Sequence, residues 1–397
     1  MDSYFASVEQ QANPTLRGKP IIVTGKPTIK TVVAAASKEA KKYGVKSAMS
    51  TWKAKQLCPE VTLVPGDPEK YEWVTKQFLS IFRKYTPRIE VFGIDEAFLD
   101  LTDMVDVLGS PVEIAEKIKS EIRAELGEYI TCSIGIAKNK LLAKLASDIN
   151  KPDGIKVIQE EDIESILDET PMTDLCGIDK GIKRRLQKLG IQDLKELGEV
   201  SEELLKKEFG IIGTQLKLMG QGKDLSPVRK AWHRDPVKSI GNSLTLPSHK
   251  RTPQKAFPIL FQLCQKVGYR LRKHKMRGKT VKLLARNEDL EVIGKQKTVG
   301  QHTDDGNTIY SICKEIAEEM RFPAAPTMVG VRVSNLKDRE DLSSHIFPGR
   351  RTREKVLQLM DSVNDERGAG SLYFARQLEA EGLLPSTGSF KRLSSLW

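Results

Sequence analysis

The chain has 397 residues, too many for one ordinary core, so two to four domains are expected. Its 64 basic and 53 acidic residues leave a net charge of +11, which points to a polyanionic partner, nucleic acid before anionic membrane. The five cysteines (Cys58, Cys132, Cys176, Cys264, Cys313) are scattered, form no C-x-x-C pair and argue against zinc or a disulfide framework, while no apolar run reaches the roughly 18 residues of a membrane span; a reduced, cytoplasmic setting is expected.

Residues 2–67 alternate short helical and strand patterns. The apolar runs at 20–23 and 31–36 predict buried strands, and 37–45 predicts a helix closed by Gly44. Residues 68–156 form a stronger α/β block: helix over 69–85, strands over 89–92 and 97–101, helix over 111–126, strand over 130–136, basic helix over 138–149. That order predicts one sheet backed by two helices, with acidic groups at one end. Residues 159–225 predict short helices, with a helix–turn–helix pattern after Gly177-Ile178-Asp179-Lys180-Gly181. Two prolines and mixed charge make 226–238 a linker. Residues 238–336 read strand, helix, two strands, helix, strand, and the tail beyond carries one helix over 353–364. Basic charge is concentrated here: residues 237–300 hold 15 Lys or Arg and 3 Asp or Glu, a surplus larger than the net charge of the whole chain.

Chemistry is carried first by Asp95 and Glu96, adjacent carboxylates between two apolar strand patterns. On spacing alone they are either a solvated hairpin tip or ligands for divalent metal. Phosphoryl transfer requires two cations about 4 Å apart that clamp the attacking and leaving oxygens. Mg²⁺ favours carboxylate oxygens and retains water, so two carboxylates on one short segment suit it.

Three segments, Met1-DSYFASVEQQANPTLRGKP-Pro20, Phe92-GIDEAFLDLTD-Asp103 and Cys132-SIGIAKNKLLAKLASDINKPDGI-Ile155, occur in this order and together resemble the Y-family DNA polymerases. The resemblance runs from Met1 to about Leu336. It implies an α+β multidomain chain shaped as a right hand: palm (1–3 and 68–158), fingers (4–67), a helical, helix-hairpin-helix-like thumb (159–225), a linker (226–237), an α/β little finger (238–337) and a tail (338–397). It implies an error-prone translesion polymerase without proofreading, acting as a monomer on primer–template DNA and dNTPs with two Mg²⁺.

By that resemblance Asp95 and Glu96 are the catalytic metal ligands, joined by the backbone carbonyl of Met1, with Asp2 as a supporting carboxylate. Phe5 matches the steric gate that excludes a ribose 2′-hydroxyl. Ser3, Tyr4 and Phe5 line the nucleotide site with Lys38, Lys41 and Lys151. Gly25, Val32 and Ala34 match the roof over the nascent pair. Small groups there leave room for a damaged base, and a loose pocket discriminates poorly. Gly177, Lys183 and Arg184 of the thumb, with Arg270, Arg272, Lys273, Lys275 and Arg277 of the little finger, are expected to meet DNA phosphates without reading sequence. At Gly177 a plain turn is an equal alternative. Leu342, Ile346 and Phe347 fall where relatives carry a sliding-clamp peptide, and an ordinary linker is the alternative; Leu393-SSLW-Trp397 is a second candidate for that peptide.

Two departures carry consequences. The family opens with a strand ending in Asp-x-Asp, whose first aspartate bridges both metals. Met1 stands at the middle position and Asp2 at the last, so the bridging aspartate and its strand are absent from this sequence, and the chain as written is expected to be inactive or very weak, with its start at an internal methionine. In the fingers, Lys38-Glu39-Ala40-Lys41 replaces the family's Tyr-x-Ala-Arg; Lys41 keeps the charge and loses the bidentate fork. The rival reading is a non-catalytic DNA-binding accessory protein on the same scaffold, and a palm-fold cyclase or reverse transcriptase is a weaker one.

Overall fold

The computed structural model describes residues 1–25, 31–229, 236–341, 348–368 and 370–380. The fold is mixed α+β, in two compact units that part between Arg234 and Asp235.

The first unit opens with an extended dipeptide, Met1-Asp2, that turns at Ser3 (φ 47°) into helix α1 (Tyr4–Ala12). Strand β1 (Ile21–Thr24) pairs antiparallel with β2 (Ala35–Ala36) and parallel with β3 (Thr62–Pro65). Serine caps start the helices beside this sheet: Ser37 accepts from Ala40 N–H at α2 (Lys38–Lys42), and Ser50 from Lys53 N–H at α3 (Thr51–Leu57). The strand expected over 31–36 is confined to its last two residues, with a single bridge from Val32 to Ser50.

Helix α4 (Pro68–Arg83) starts on an Asp67 cap, and after the short α5 (Val105–Leu108), α6 (Pro111–Leu126) starts on a Ser110/Glu113 capping box. Their apolar stripes, with Phe78, Leu79, Phe82, Ile114, Ile118 and Ile122, meet in one core. Strands β4 (Ile89–Val91) and β5 (Ala97–Leu99) form an antiparallel hairpin whose tip holds Asp95 and Glu96. Strand β6 (Ile134–Ile136), shorter than the 130–136 expected, pairs parallel with β7 (Ile155–Val157).

The single sheet expected for this block is not formed. Among the described residues β4–β5 and β6–β7 are separate two-stranded sheets, because no strand lies between β5 and β6 to join them. Only Met1 and Asp2 span the interval: the Met1 ammonium donates to Asp95 O at 2.8 Å, and Asp2 N–H donates to Thr131 O at 2.9 Å.

Helix α7 (Lys140–Ile149) lies directly on β6, at a separation that only glycine allows. A Cβ on Gly135 would stand 2.0 Å from Ala143 O and 2.4 Å from Ser147 N. Helices α8 (Ile163–Glu169), α9 (Lys180–Lys188), α10 (Leu194–Glu199), α11 (Glu202–Phe209) and α12 (Ile211–Gly220) follow, as the helical pattern predicts, around Leu186, Leu194, Leu197, Leu205 and Leu216.

The second unit has the expected order: β8 (Ser239–Thr245), α13 (Pro253–Lys273), β9 (Met276–Arg286), β10 (Val292–Thr303), α14 (Gly306–Glu319) and β11 (Met328–Asp338). The sheet runs β10-β9-β11-β8, antiparallel throughout, and α13 and α14 share its core. The tail helix α15 (Pro348–Arg367) is longer than expected.

Gly135→Ala is expected to destabilise the chain by about 1–3 kcal/mol, as overpacking does, because the new methyl meets α7 backbone that has no rotamer to change. Urea denaturation followed by far-ultraviolet circular dichroism reads the loss.

Candidate active site

Asp2 is the anchor. Its side chain is buried, and its carboxylate accepts from Thr131 Oγ1 (2.9 Å), Ser133 Oγ (2.8 Å) and Asp153 N–H (2.9 Å). Both oxygens are thus engaged, which ties α1 to the residues before β6 and to the Lys151–Gly154 turn. The turn in turn needs Gly154, whose Cβ would stand 1.9 Å from Asn150 O. The oxygens of Asp2, expected as a supporting carboxylate, are turned to protein donors.

The aromatic run after it divides into core and surface roles. Tyr4 is buried, its hydroxyl donating to Tyr71 O at 2.8 Å and lying 2.8 Å from Thr75 Oγ1. Phe5 is half-buried and stacks on the Tyr71 ring, centroids 4.3 Å apart and planes 12° from parallel. Tyr71 is itself fixed by donation to Glu9 Oε1 at 2.9 Å. Sequence reasoning missed Tyr71; its place one turn into a helix that opens on Pro68 gave no sign of the stack.

At the β4–β5 tip, Thr75 Oγ1 donates to Ile94 O at 2.6 Å and holds the turn against α4. Glu96 accepts from Lys144 Nζ at 2.6 Å, and Lys144 also lies 3.3 Å from Asp148. Burial raises the affinity of Asp95 for its proton; the Met1 ammonium opposes this, and the Glu96 charge adds to it. Lys144 was also missed, although Lys140, Lys144 and Lys151 fall along one face of a basic helix and its exit, a spacing visible in the sequence.

Facing these acids is a group of cations. Lys38 donates to Thr131 Oγ1 at 2.9 Å, and Lys151 pairs with Asp148 at 2.5 Å. Lys41 is held below the ordinary lysine range, first by burial and then by the Lys151 ammonium, with Asp2 opposing and Lys38 adding. A cleft of about 600 Å³ is lined by Met1, Asp2, Ser3, Tyr4, Phe5, Ala34, Lys38, Lys41, Lys151, Asp95 and Glu96 among others. All the residues expected for metal and nucleotide binding therefore converge on one cavity. Hard oxygen donors and ammonium groups lining one cavity suit a divalent cation and a polyphosphate. Asp95, Glu96 and the Met1 carbonyl make an all-oxygen donor set, yet among the described residues no group of three or more acidic, His or Cys side chains comes together as a metal cluster.

Comparison with known proteins agrees with this geometry. Residues 1–148 match the family described as impB/mucB/samB, and residues 237–345 match the C-terminal domain of the same family. DNA polymerase IV of Moorella thermoacetica is 34% identical over 387 residues, covering 96% of each chain. DNA polymerase IV of Bacteroides fragilis is 37% identical over 342 residues, 86% of this chain and 92% of its own. A solved Y-family DNA polymerase chimera superposes with a TM-score of 0.72 at 31% identity, over 85% of this chain and 97% of that one. The chain belongs to the Y-family DNA polymerases. It is by that membership a nucleotidyltransferase of the translesion class, and Y-family polymerases are metal-dependent. No helix among the described residues is long and apolar enough to cross a membrane.

The positions expected to contact DNA in this Y-family polymerase fare unevenly. In the expected thumb, Gly177 takes φ 109°, and Asp179 caps α9 by accepting from Ile182 N–H at 2.7 Å, so one first-turn donor already has a carboxylate. Arg184 is exposed and Lys183 half-exposed on α9. In the second unit, Arg277 is buried and Arg272 half-buried. Arg272 makes a bidentate pair with Asp361 (2.6 and 2.8 Å) and donates to Asp304 O, while Arg277 pairs with Asp304 at 3.2 Å and with Glu354. The tail helix supplies Asp361 and Glu354, which the charge count over 237–300 could not reveal; these two arginines are internal ion-pair partners, not open cations. Arg270 donates to Gly241 O at 3.0 Å, Lys273 lies over the Tyr269 ring, and Lys275 is exposed with Glu340 at 3.6 Å. Leu342, Ile346, Phe347 and the 393–397 peptide lie outside the described residues.

A carboxyl whose folded-state proton affinity is raised penalises the folded state once ionised; the penalty is absent below the unfolded value of about 3.9 and complete above the folded value. Asp95→Asn is therefore expected to raise the Tm at pH 7 without metal or nucleotide, and the gain should vanish as the pH falls toward about 3.9. Melting curves across that range check it.

Proposed function

We propose that this chain is a template-directed, error-prone DNA polymerase that adds dNMP to a primer 3′-hydroxyl, and that the cleft around Asp95 and Glu96 is where it does so. The observation that carries this reading is the convergence of two carboxylates, the Phe5 ring and three lysines on one cavity. The 3′-hydroxyl oxygen attacks the α-phosphorus of a dNTP, the bond to the β-phosphate bridging oxygen breaks, pyrophosphate leaves, and the hydroxyl proton passes to solvent. Asp95, Glu96 and the Met1 carbonyl would hold Mg²⁺, two ions by the family pattern, which supply charge neutralisation at the attacking and leaving oxygens. Lys38, Lys41 and Lys151 bind the triphosphate with the backbone N–H groups of Ser3 and Tyr4. Phe5, backed by Tyr71, presents its ring to the sugar and excludes a 2′-hydroxyl.

In this reading the palm comprises 1–3 and 68–158, the fingers 4–67, the thumb 159–225 and the little finger 238–337, with 226–237 as linker. Primer–template DNA is held through phosphate contacts from Lys183, Arg184, Lys273 and Lys275, and binding is salt-dependent and indifferent to sequence. The chain acts as a monomer in the cytoplasm, and the sliding clamp is a partner for the tail. The alternative is a non-catalytic DNA-binding accessory protein on the same scaffold.

Primer extension with Mg²⁺ and dNTPs on undamaged template separates the two. The chain carrying about ten upstream residues that end in aspartate is expected to extend primers, and Glu96→Ala in that chain to abolish extension. Primer–template binding without extension by any of these chains would favour the accessory reading.

A further inference from the structure

Four charged side chains form one row of alternating sign: Lys151, Asp148, Lys144 and Glu96. Lys151 Nζ lies 2.5 Å from Asp148 Oδ1, and Lys144 Nζ lies 3.3 Å from Asp148 Oδ2 and 2.6 Å from Glu96 Oε1. Each Asp148 oxygen therefore faces one ammonium, and Lys144 is shared unequally between two carboxylates. Glu96 and Lys151, the two ends of the row, line the cleft, while Lys144 and Asp148 connect them from α7.

The sequence spacing builds this row. Lys144 and Asp148 are four residues apart on α7, and Lys151 follows Asp148 by three, just past the helix end, so the three meet on one side. The close seat of α7 on β6 at Gly135 fixes the backbone of Lys144, and its four-carbon stem is the adjustable part. The Lys144 side chain is only 18% exposed, so its charge requires a carboxylate whichever way it points. Burial disfavours the charge of Asp148, yet Lys151 and then Lys144 hold its carboxyl below the usual carboxylate range, so it stands ready as that partner. Two of these contacts compete with ligands. Lys144 occupies a Glu96 oxygen that a divalent cation would use, and Asp148 occupies the Lys151 ammonium that a phosphate would use.

We propose that Asp148 and Lys144 are positioning residues that couple the two halves of the cleft. A phosphate that draws Lys151 off Asp148 leaves that carboxylate to take Lys144, and Lys144 then releases Glu96 to a divalent cation. Both acceptors of Lys144 are already within reach, so the exchange needs a side-chain shift and no movement of α7. Phosphate arrival thus raises the affinity for the cation, and by linkage the cation raises the affinity for phosphate. This rests on the function proposed above, because it takes Glu96 as a metal ligand and Lys151 as a phosphate contact. If the row were only a set of static ion pairs, the charge of Lys151 would act on the metal through space, with or without Asp148.

The test uses the full chain and Mn²⁺ alone, with the free ion followed by electron paramagnetic resonance. Lys151→Ala stands in for a Lys151 withdrawn by phosphate. It is expected to tighten Mn²⁺ binding about fivefold, the low end of coupling between sites because the groups are partly exposed. In an Asp148→Asn background the same substitution is expected to change nothing, a double-mutant cycle that a through-space effect would not satisfy. Lys144→Met, which removes the shuttling charge, is expected to bind Mn²⁺ more tightly than the parent and to be indifferent to Lys151→Ala. An equal gain from Lys151→Ala with and without Asp148, or no gain in either, would overturn the coupling while leaving the metal site in place. Mn²⁺ binding unchanged by Glu96→Gln would remove Glu96 as a ligand and the coupling with it.

Discussion

The buried carboxylate of Asp2 is the interaction on which the site depends. It gathers donors from residues 131, 133 and 153, so a single side chain locates α1, the approach to β6 and the turn bearing Lys151 with respect to one another. Hydrogen bonds to a charged group contribute about 1.5–3 kcal/mol each, and removing the acceptor would leave buried donors unsatisfied. Everything that lines the cleft from the N-terminal side, including the Ser3 turn and the Phe5 ring, inherits its position from this anchor. The Met1 carbonyl is placed by the same dipeptide.

The electrostatics around that anchor are arranged for a ligand carrying both signs. Burial first, and then the neighbouring ammonium groups of Lys151 and Lys38, make Lys41 bind its proton less tightly than an ordinary lysine. A triphosphate relieves that repulsion, and a divalent cation relieves the opposite repulsion between Asp95 and Glu96. Lys144 on Glu96 and the Met1 ammonium beside Asp95 partly balance the acids. On the proposed reading, Lys41 in place of the family's bidentate arginine keeps the charge and gives up directionality, and positioning of the phosphates would fall more heavily on the backbone at Ser3 and Tyr4.

How much of this was legible in the sequence follows from physical locality. Helices α4, α6, α13 and α14 announced themselves through apolar periodicity and caps, and the carboxylate pair through its setting between two strands. The positions of Met1 to Phe5, Lys38, Lys41 and Lys151 in one cavity followed the family pattern segment by segment. What the sequence concealed depended on long-range partners. The division of the expected sheet into two came from the lack of a strand between β5 and β6, and the withdrawal of Arg272 and Arg277 came from acids some 80 positions away on the tail helix. The stack of Phe5 on Tyr71 joins residues on two helices with no shared period.

The most direct test of the account is the affinity of the chain for dATP with Mg²⁺, measured by isothermal titration calorimetry without DNA. The account predicts that Mg²⁺ strengthens binding, that Lys41→Ala weakens it about tenfold, the value of one charge-assisted contact, and that Asp95→Asn with Glu96→Gln removes the Mg²⁺ dependence. Binding that is indifferent to Lys41 and to both carboxylates would contradict it.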